Sequence, residues 1–171
     1  MSSLIEIRQA VPEDAETVSG ILTEVALWQE QLGAPLWLDG ELIPQKIGVE
    51  IRSGLFFLAE YAGEPAGTVR FQFEDQLFWP DAPNPGAVYV HRLAVRRLYT
   101  GKGISTALLA WAAERTHCVG RRFLRLDCDA DRPKLRAIYE SFGFRHHSYR
   151  QVGSYFVARY ELDVACTRGI R

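Results

Sequence analysis

The chain has 171 residues, 47% hydrophobic and 24% charged, and its 20 Lys and Arg against 21 Asp and Glu leave a net charge of −1. That length is one domain's worth and enough to bury a self-standing core. The near-balanced charge argues against a general nucleic-acid binder or a polybasic membrane binder, though not against a local basic patch.

No apolar run approaches the ~20 residues of a membrane helix, and Met1 to Gln9 alternates polar and apolar residues with no signal-peptide core. Cys118, Cys128 and Cys166 are odd in number and widely spaced. They predict neither a disulfide framework nor a metal knuckle, and a reducing cytoplasm is the simplest setting. His146 and His147 are the sole adjacent histidines. Neighbours on a strand face opposite sides and cannot share one ion, so a metalloenzyme is not expected.

Leu4 to Arg8 alternates as a first strand. Pro12 opens a helix with Glu13, Asp14 and Glu16 in its first turn; Val18, Ile21, Leu22, Val25 and Leu32 fall at helical spacing, and Gly33 and Pro35 end it. A second helix is predicted from about Glu41 to Arg52, interrupted by Pro44. Leu55 to Tyr61 and Ala66 to Glu74 read as a hairpin about the turn Ala62-Gly63-Glu64-Pro65. After a loop rich in Pro and aromatics, Ala87 to Val95 reads as a central strand, Arg96 to Gly103 as a basic glycine loop and Ile104 to Cys118 as an amphipathic helix. Phe123 to Cys128 is a strand, and Arg132 to Phe142 a helix capped by Gly143. Phe144 to Val152 and Tyr155 to Leu162 form a last antiparallel pair. The order β-α-α-β-β-β-α-β-α-β-β predicts a mixed α/β fold, one sheet with helices on its faces, as a single domain over residues 1–164. Residues 165–171 read as a frayed tail.

The glycine loop is the most informative stretch. Gly101 and Gly103 lack a Cβ, so an anion can approach the main chain. The N–H groups from Gly101 to Thr106 precede any intrahelical acceptor, and the helix dipole makes that end positive. Ser105 and Thr106 add hydroxyl donors, and Arg96, Arg97 and Lys102 a positive rim. The pattern suits a pyrophosphate; it also suits an ordinary capped helix after a tight turn. It lacks the Walker spacing, and Thr106 stands where a Rossmann loop has its third Gly.

Thr100-Gly101-Lys102-Gly103-Ile104-Ser105 resembles the [Gln/Arg]-x-x-Gly-x-[Gly/Ala] loop of the GNAT superfamily of acetyl-CoA-dependent N-acetyltransferases. His91-Arg92-Leu93-Ala94-Val95 looks like that family's bulged fourth strand and Leu124 to Cys128 like its fifth. Leu135, Tyr139-Glu140 and Gly143-Phe144 look like its Tyr-Glu-x-x-Gly-Phe helix end. The likeness covers about Ala87 to Phe144 and implies about seven strands flanked by four helices. Thr100 departs from the usual long donor, a loss for which Arg96 or Arg97 can compensate, and Arg132 stands where the family has an Asn facing the cofactor.

The resemblance implies transfer of an acetyl group from acetyl-CoA to a primary amine of a small molecule, by direct attack in a ternary complex, with no metal, nucleic acid or membrane involved. A homodimer stays open. So does a non-catalytic acyl-CoA-binding or sensing module, given Thr100 and Arg132. The implied cofactor contacts are Leu93, Ala94 and Val95 of the bulged strand, Arg96, Arg97, the loop from Gly101 through Lys102, Gly103, Ile104 and Ser105 to Thr106, and Arg132. Tyr139 is the implied acid for the leaving thiolate, since a phenol near pKa ~10 can protonate a thiolate near ~8.5; a plain packing role is the alternative. His91 is the candidate base, with Asp127 and Glu74 as alternatives, or else a strand histidine bonded beneath the loop. The acceptor pocket is expected among the Trp28 to Trp37 connection, Phe78-Trp79, Tyr149 and Tyr155, unless Trp28 and Trp37 simply seal the core. Arg145, His146, His147 and Arg150 either hold an anionic acceptor or line a solvated edge.

Overall fold

The computed structural model describes residues 3–37 and 40–166. Seven strands form one sheet in the order β1-β2-β3-β4-β5-β7-β6, accompanied among the described residues by four α-helices. The mixed α/β class and the element order are those the sequence predicts. The chain divides into two compact units, Met1–Arg70 with Arg92–Leu109 and Phe71–His91 with Ala110–Arg171. Of the predicted tail, residues 167–171 lie outside the described part.

The first unit holds β1 (Ile5–Gln9), α1 (Ala15–Gln31), α2 (Pro44–Arg52), β2 (Phe56–Tyr61) and most of β3 (Glu64–Gln72). The helical spacing of Val18, Ile21, Leu22 and Val25 buries them in one cluster with Ile47 and Ile51 of α2 and Phe56 and Leu58 of β2. Leu32 is not on that face: α1 stops at Gln31, Gly33 turns with φ 72°, and Leu32 stays 61% exposed. The second helix begins at Pro44, later than predicted, because a proline needs no N–H partner in a first turn. The predicted four-residue turn shrinks to Ala62 and Gly63, at φ 52° and 84°. Two left-handed residues match the strand twist, so Glu64 and Pro65 pair into β3 opposite Tyr61 and Glu60.

The chain passes between the units within β3, within β4 (Ala87–Val95) and again within α3 (Ile104–Cys118). The second unit also holds β5 (Phe123–Asp129), α4 (Pro133–Phe142), β6 (Arg145–Val152) and β7 (Tyr155–Asp163). β4 runs parallel to β5, with Ala87, Val88 and Tyr89 opposite Phe123, Leu124 and Arg125. β5 and β6 are antiparallel to β7. A slip between His146 and Ser148 puts a bulge at the two histidines.

Trp79 is 1% exposed and lies under two guanidinium groups, Arg125 at 4.4 Å and Arg159 at 4.8 Å. Arg125 reaches Glu161 and the Ala82 carbonyl, and Arg159 reaches Asp81 and the Phe78 carbonyl. These cations bind the loop before β4 to β5 and β7, so Trp79 is core, not pocket wall.

Candidate functional site

In the first unit, β4 leaves regular geometry at Arg92, a non-glycine residue at φ 51°. Such a residue is held there by its surroundings: its guanidinium lies 3.6 Å from Glu41 and 3.7 Å from Glu50. Ala94 follows, 3% exposed within the core, so only its main chain is available to a ligand. After β4 a short 3-10 turn, Arg97–Tyr99, leads into the glycine loop.

Gly101 and Gly103 sit at φ 78° and 79°, and a Cβ built on either would point into open space. Among the described residues, no backbone carbonyl accepts from the N–H of Gly101, Gly103, Ile104, Ser105 or Thr106. The amide of Lys102 differs, donating to the Tyr99 carbonyl, and those of Arg96 and Arg97 go to Ala66 and Glu24. The start of α3 is seated by Gly67 of β3, where a Cβ would stand 2.9 Å from the Ala94 carbonyl oxygen and 3.0 Å from Ile104. Five amides without a main-chain acceptor thus lie at the positive end of a fifteen-residue helix, where an anion is favoured.

The basic rim is partly engaged. Arg96 lies 3.6 Å from Glu24 and reaches the Pro65 carbonyl, and Arg97 lies over the Trp28 ring at 4.3 Å. Trp37 packs against the core cluster of the first unit. Lys102 is exposed.

The second unit gathers its own polar group. His91 Nε2 is 2.8 Å from Asp75 Oδ2, and His91 Nδ1 is 3.5 Å from Asp127 Oδ1. Continuing the β4–β5 register beyond Tyr89 and Arg125 puts His91 opposite Asp127, hence on one face. Asp75 comes from the loop after β3, where its Oδ1 accepts from the N–H of Leu77 (3.0 Å) and Phe78 (2.9 Å). Glu74, the carboxylate weighed from sequence, is exposed; its neighbour Asp75 is the one that reaches His91. The Phe78 ring lies against the imidazole, centroids 5.7 Å apart.

Burial opposes the charge of Asp75, but the hydrogen bond and charge of His91 and the two amides outweigh it and hold the carboxyl below its ordinary range. Asp127 is pushed up to about 6, first by burial and then by Asp75, against the charges of His91 and Arg159. Its Oδ1 is buried and accepts no hydrogen bond.

Tyr139 of α4 is 7% exposed. Burial pushes its phenol up, with Cys128 and Asp127 adding to the shift, so it stays protonated at neutral pH. Burial likewise pushes the Cys128 thiol up to about 12. Arg132 is the N-cap residue of α4, with Nε 3.7 Å from Asp129. The β6–β7 hairpin stacks Tyr149 on Phe156, with Arg136 over Tyr149 and bonded to the Tyr160 hydroxyl. His146 packs on Tyr149 and His147 on Trp79.

The model of the acetyltransferase (GNAT) family matches residues 22–144. The chain is also 33% identical over 142 residues to an uncharacterized N-acetyltransferase, YesJ, of Bacillus subtilis (strain 168), covering 79% of this chain and 78% of that protein. The chain belongs to the GNAT acetyltransferase family. Solved structures agree on the fold. A GNAT acetyltransferase of Listeria monocytogenes 4b F2365 superposes with a TM-score of 0.75 at 24% identity, over 92% of this chain and 95% of that one. The PaiA N-acetyltransferase of Thermoplasma acidophilum, solved with coenzyme A, gives 0.71 at 22% identity over 95% and 100%.

Membership makes this GNAT protein an acetyl-CoA-dependent acyltransferase. The cradle of the first unit fits that donor, whose diphosphate is the kind of anion five unclaimed amides attract. Sequence reasoning reached His91, Asp127 and Tyr139 but not Asp75, which has no motif of its own. The one local signal was Asp75 three residues before Phe78, the spacing at which a carboxylate accepts from a following turn.

Proposed function

We propose that this acyltransferase moves an acetyl group from acetyl-CoA to the primary amine of a small molecule, by direct attack within a ternary complex. The observation that carries the reading is the run of unclaimed amides at Gly101, Gly103, Ile104, Ser105 and Thr106. They hold the pyrophosphate, Lys102 adds charge at the rim, and the main chain from Leu93 to Val95 serves the acyl and pantetheine end. The near-neutral net charge makes a small amine a better acceptor class than a polyanion's partner.

The amine must be neutral to attack. His91 takes its proton, and Tyr139 donates to the departing thiolate. Burial that raises the Tyr139 phenol raises a nearby thiol as well, as Cys128 illustrates, so a thiolate leaving into such surroundings binds a proton strongly. The same shift keeps Cys128 a thiol and a poor nucleophile, which supports direct attack over an acetyl-enzyme.

Acetyl-CoA and a panel of amines, followed by thiol release and mass spectrometry, test the reading. The expected result is one acetylated amine per thiol released. Acetyl found on the protein itself before an amine is added would remove the ternary mechanism, and no transfer to any amine would remove the acceptor class.

A further inference from the structure

The cluster of Asp75, His91 and Asp127 is more closely specified than a lone strand histidine requires. An ionised carboxylate only accepts hydrogen bonds, so Asp75 Oδ2 requires the proton of the imidazole to sit on Nε2. That leaves Nδ1 with its lone pair, facing Asp127 Oδ1 at 3.5 Å. Asp75 cannot turn away, because Leu77 and Phe78 anchor its other oxygen. Asp127 Oδ1, on a side chain 10% exposed, is a buried carboxylate oxygen that accepts nothing. A buried acceptor is costly to leave unpaired, and it awaits a donor.

We propose that Asp75 is a positioning residue that fixes the His91 tautomer, and that His91 Nδ1 with Asp127 receives the proton of the acceptor amine. This rests on the amine acetyl-transfer reading. As the N–C bond forms and the C–S bond breaks with its electron pair on sulfur, one proton passes from the amine nitrogen to Nδ1. The imidazolium then lies between two carboxylates, one facing each nitrogen, and its charge is balanced on both sides. The proton it later gives to solvent matches the one that Tyr139 takes back from solvent after giving its own to sulfur. The charged and titratable groups facing Asp127 are His91 on β4, Asp75 in the β3–β4 loop, Arg159 on β7, Tyr139 on α4 and Cys128, the residue after Asp127.

The anchored oxygen makes Asp75→Asn a sharp test. Leu77 and Phe78 require the amide oxygen on their side, so the NH2 faces Nε2 and turns it into an acceptor. The ring then carries its proton on Nδ1, the wrong side for catalysis. The full chain is examined by nitrogen-resolved imidazole spectra and by kcat/KM against pH. The wild type should show neutral His91 protonated on Nε2, and the variant on Nδ1. The variant should lose about 100-fold in kcat/KM at unchanged acetyl-CoA affinity. Asp127→Asn should move the acidic limb of the pH profile down by about one unit, since it removes a charge that favours the imidazolium.

Wild-type His91 protonated on Nδ1 overturns the proposal even if the variants do not fold. So does wild-type kcat/KM in folded Asp75→Asn, or activity lost on chelation and restored by a divalent ion, which would make the cluster a metal site. Transfer to no amine at all would strike the acetyl-transfer reading, while the spectra still report the tautomer.

Discussion

The glycine loop of the first unit and the His91 cluster of the second handle charge by opposite means. The loop works with main chain: two residues without side chains, five unclaimed amides and the end of a helix. The departures from the family pattern, at Thr100 before the first glycine and Ser105 after the second, leave both glycines and the unclaimed amides in place. The cluster works with three particular side chains, two of them carboxylates set apart by their surroundings: burial pushes Asp127 up, while His91 and two amides hold Asp75 down against its own burial. A main-chain site is robust to sequence and sensitive to bulk, whereas a buried side-chain site is sensitive to the loss of any single atom.

The largest effect expected from this contrast is at Gly103. Gly103→Asp puts a side chain on a residue at φ 79° and a carboxylate where the proposed function places the diphosphate. Calorimetry with coenzyme A should show affinity reduced more than 100-fold, with the His91 spectra of the second unit unchanged. Retained affinity would mean the loop does not grip the diphosphate. Next comes Tyr139→Phe, which keeps the ring contacts with Phe144 and Tyr160 and removes the phenol. It should lower kcat about 100-fold with coenzyme A affinity nearly intact; unchanged turnover would take Tyr139 out of the chemistry.

The smallest effect concerns stability. A carboxyl group held higher in the folded chain than in the unfolded one contributes stability at low pH and loses it as pH rises through its folded value. For Asp127 that window runs from about 4, the unfolded value, to about 6. Asp127→Asn should therefore gain on the wild type as pH rises from about 4 to about 6 and hold that gain above it, by a few degrees in melting temperature (about 2–4 °C per kcal/mol for a chain of this size). A difference independent of pH would show that Asp127 is not ionising there.

Much of the fold was legible because its signals are local. β4 and α3 begin and end where alternation, glycines and helical spacing place them, and α4 starts one residue later than read. The misreadings came where distant chain decides. Leu32 has the right spacing for α1 but lies past the helix end, and the β2–β3 turn is shorter because paired strands favour two left-handed residues. Trp79 reads as a pocket aromatic, yet Arg125 and Arg159, from β5 and β7, bury it.

By itself the sequence determined the glycine loop and its unclaimed amides, since missing Cβ atoms and the unpaired first turn of a helix are properties of consecutive residues. It also named Tyr139 and His91. Only the tertiary structure decided what His91 touches, because its two partners come from a loop sixteen residues before it and from the neighbouring parallel strand. Contacts between residues distant in sequence leave no periodicity for a reader of the chain to find: strand register brings Asp127 within reach, and the anchored loop after β3 brings Asp75.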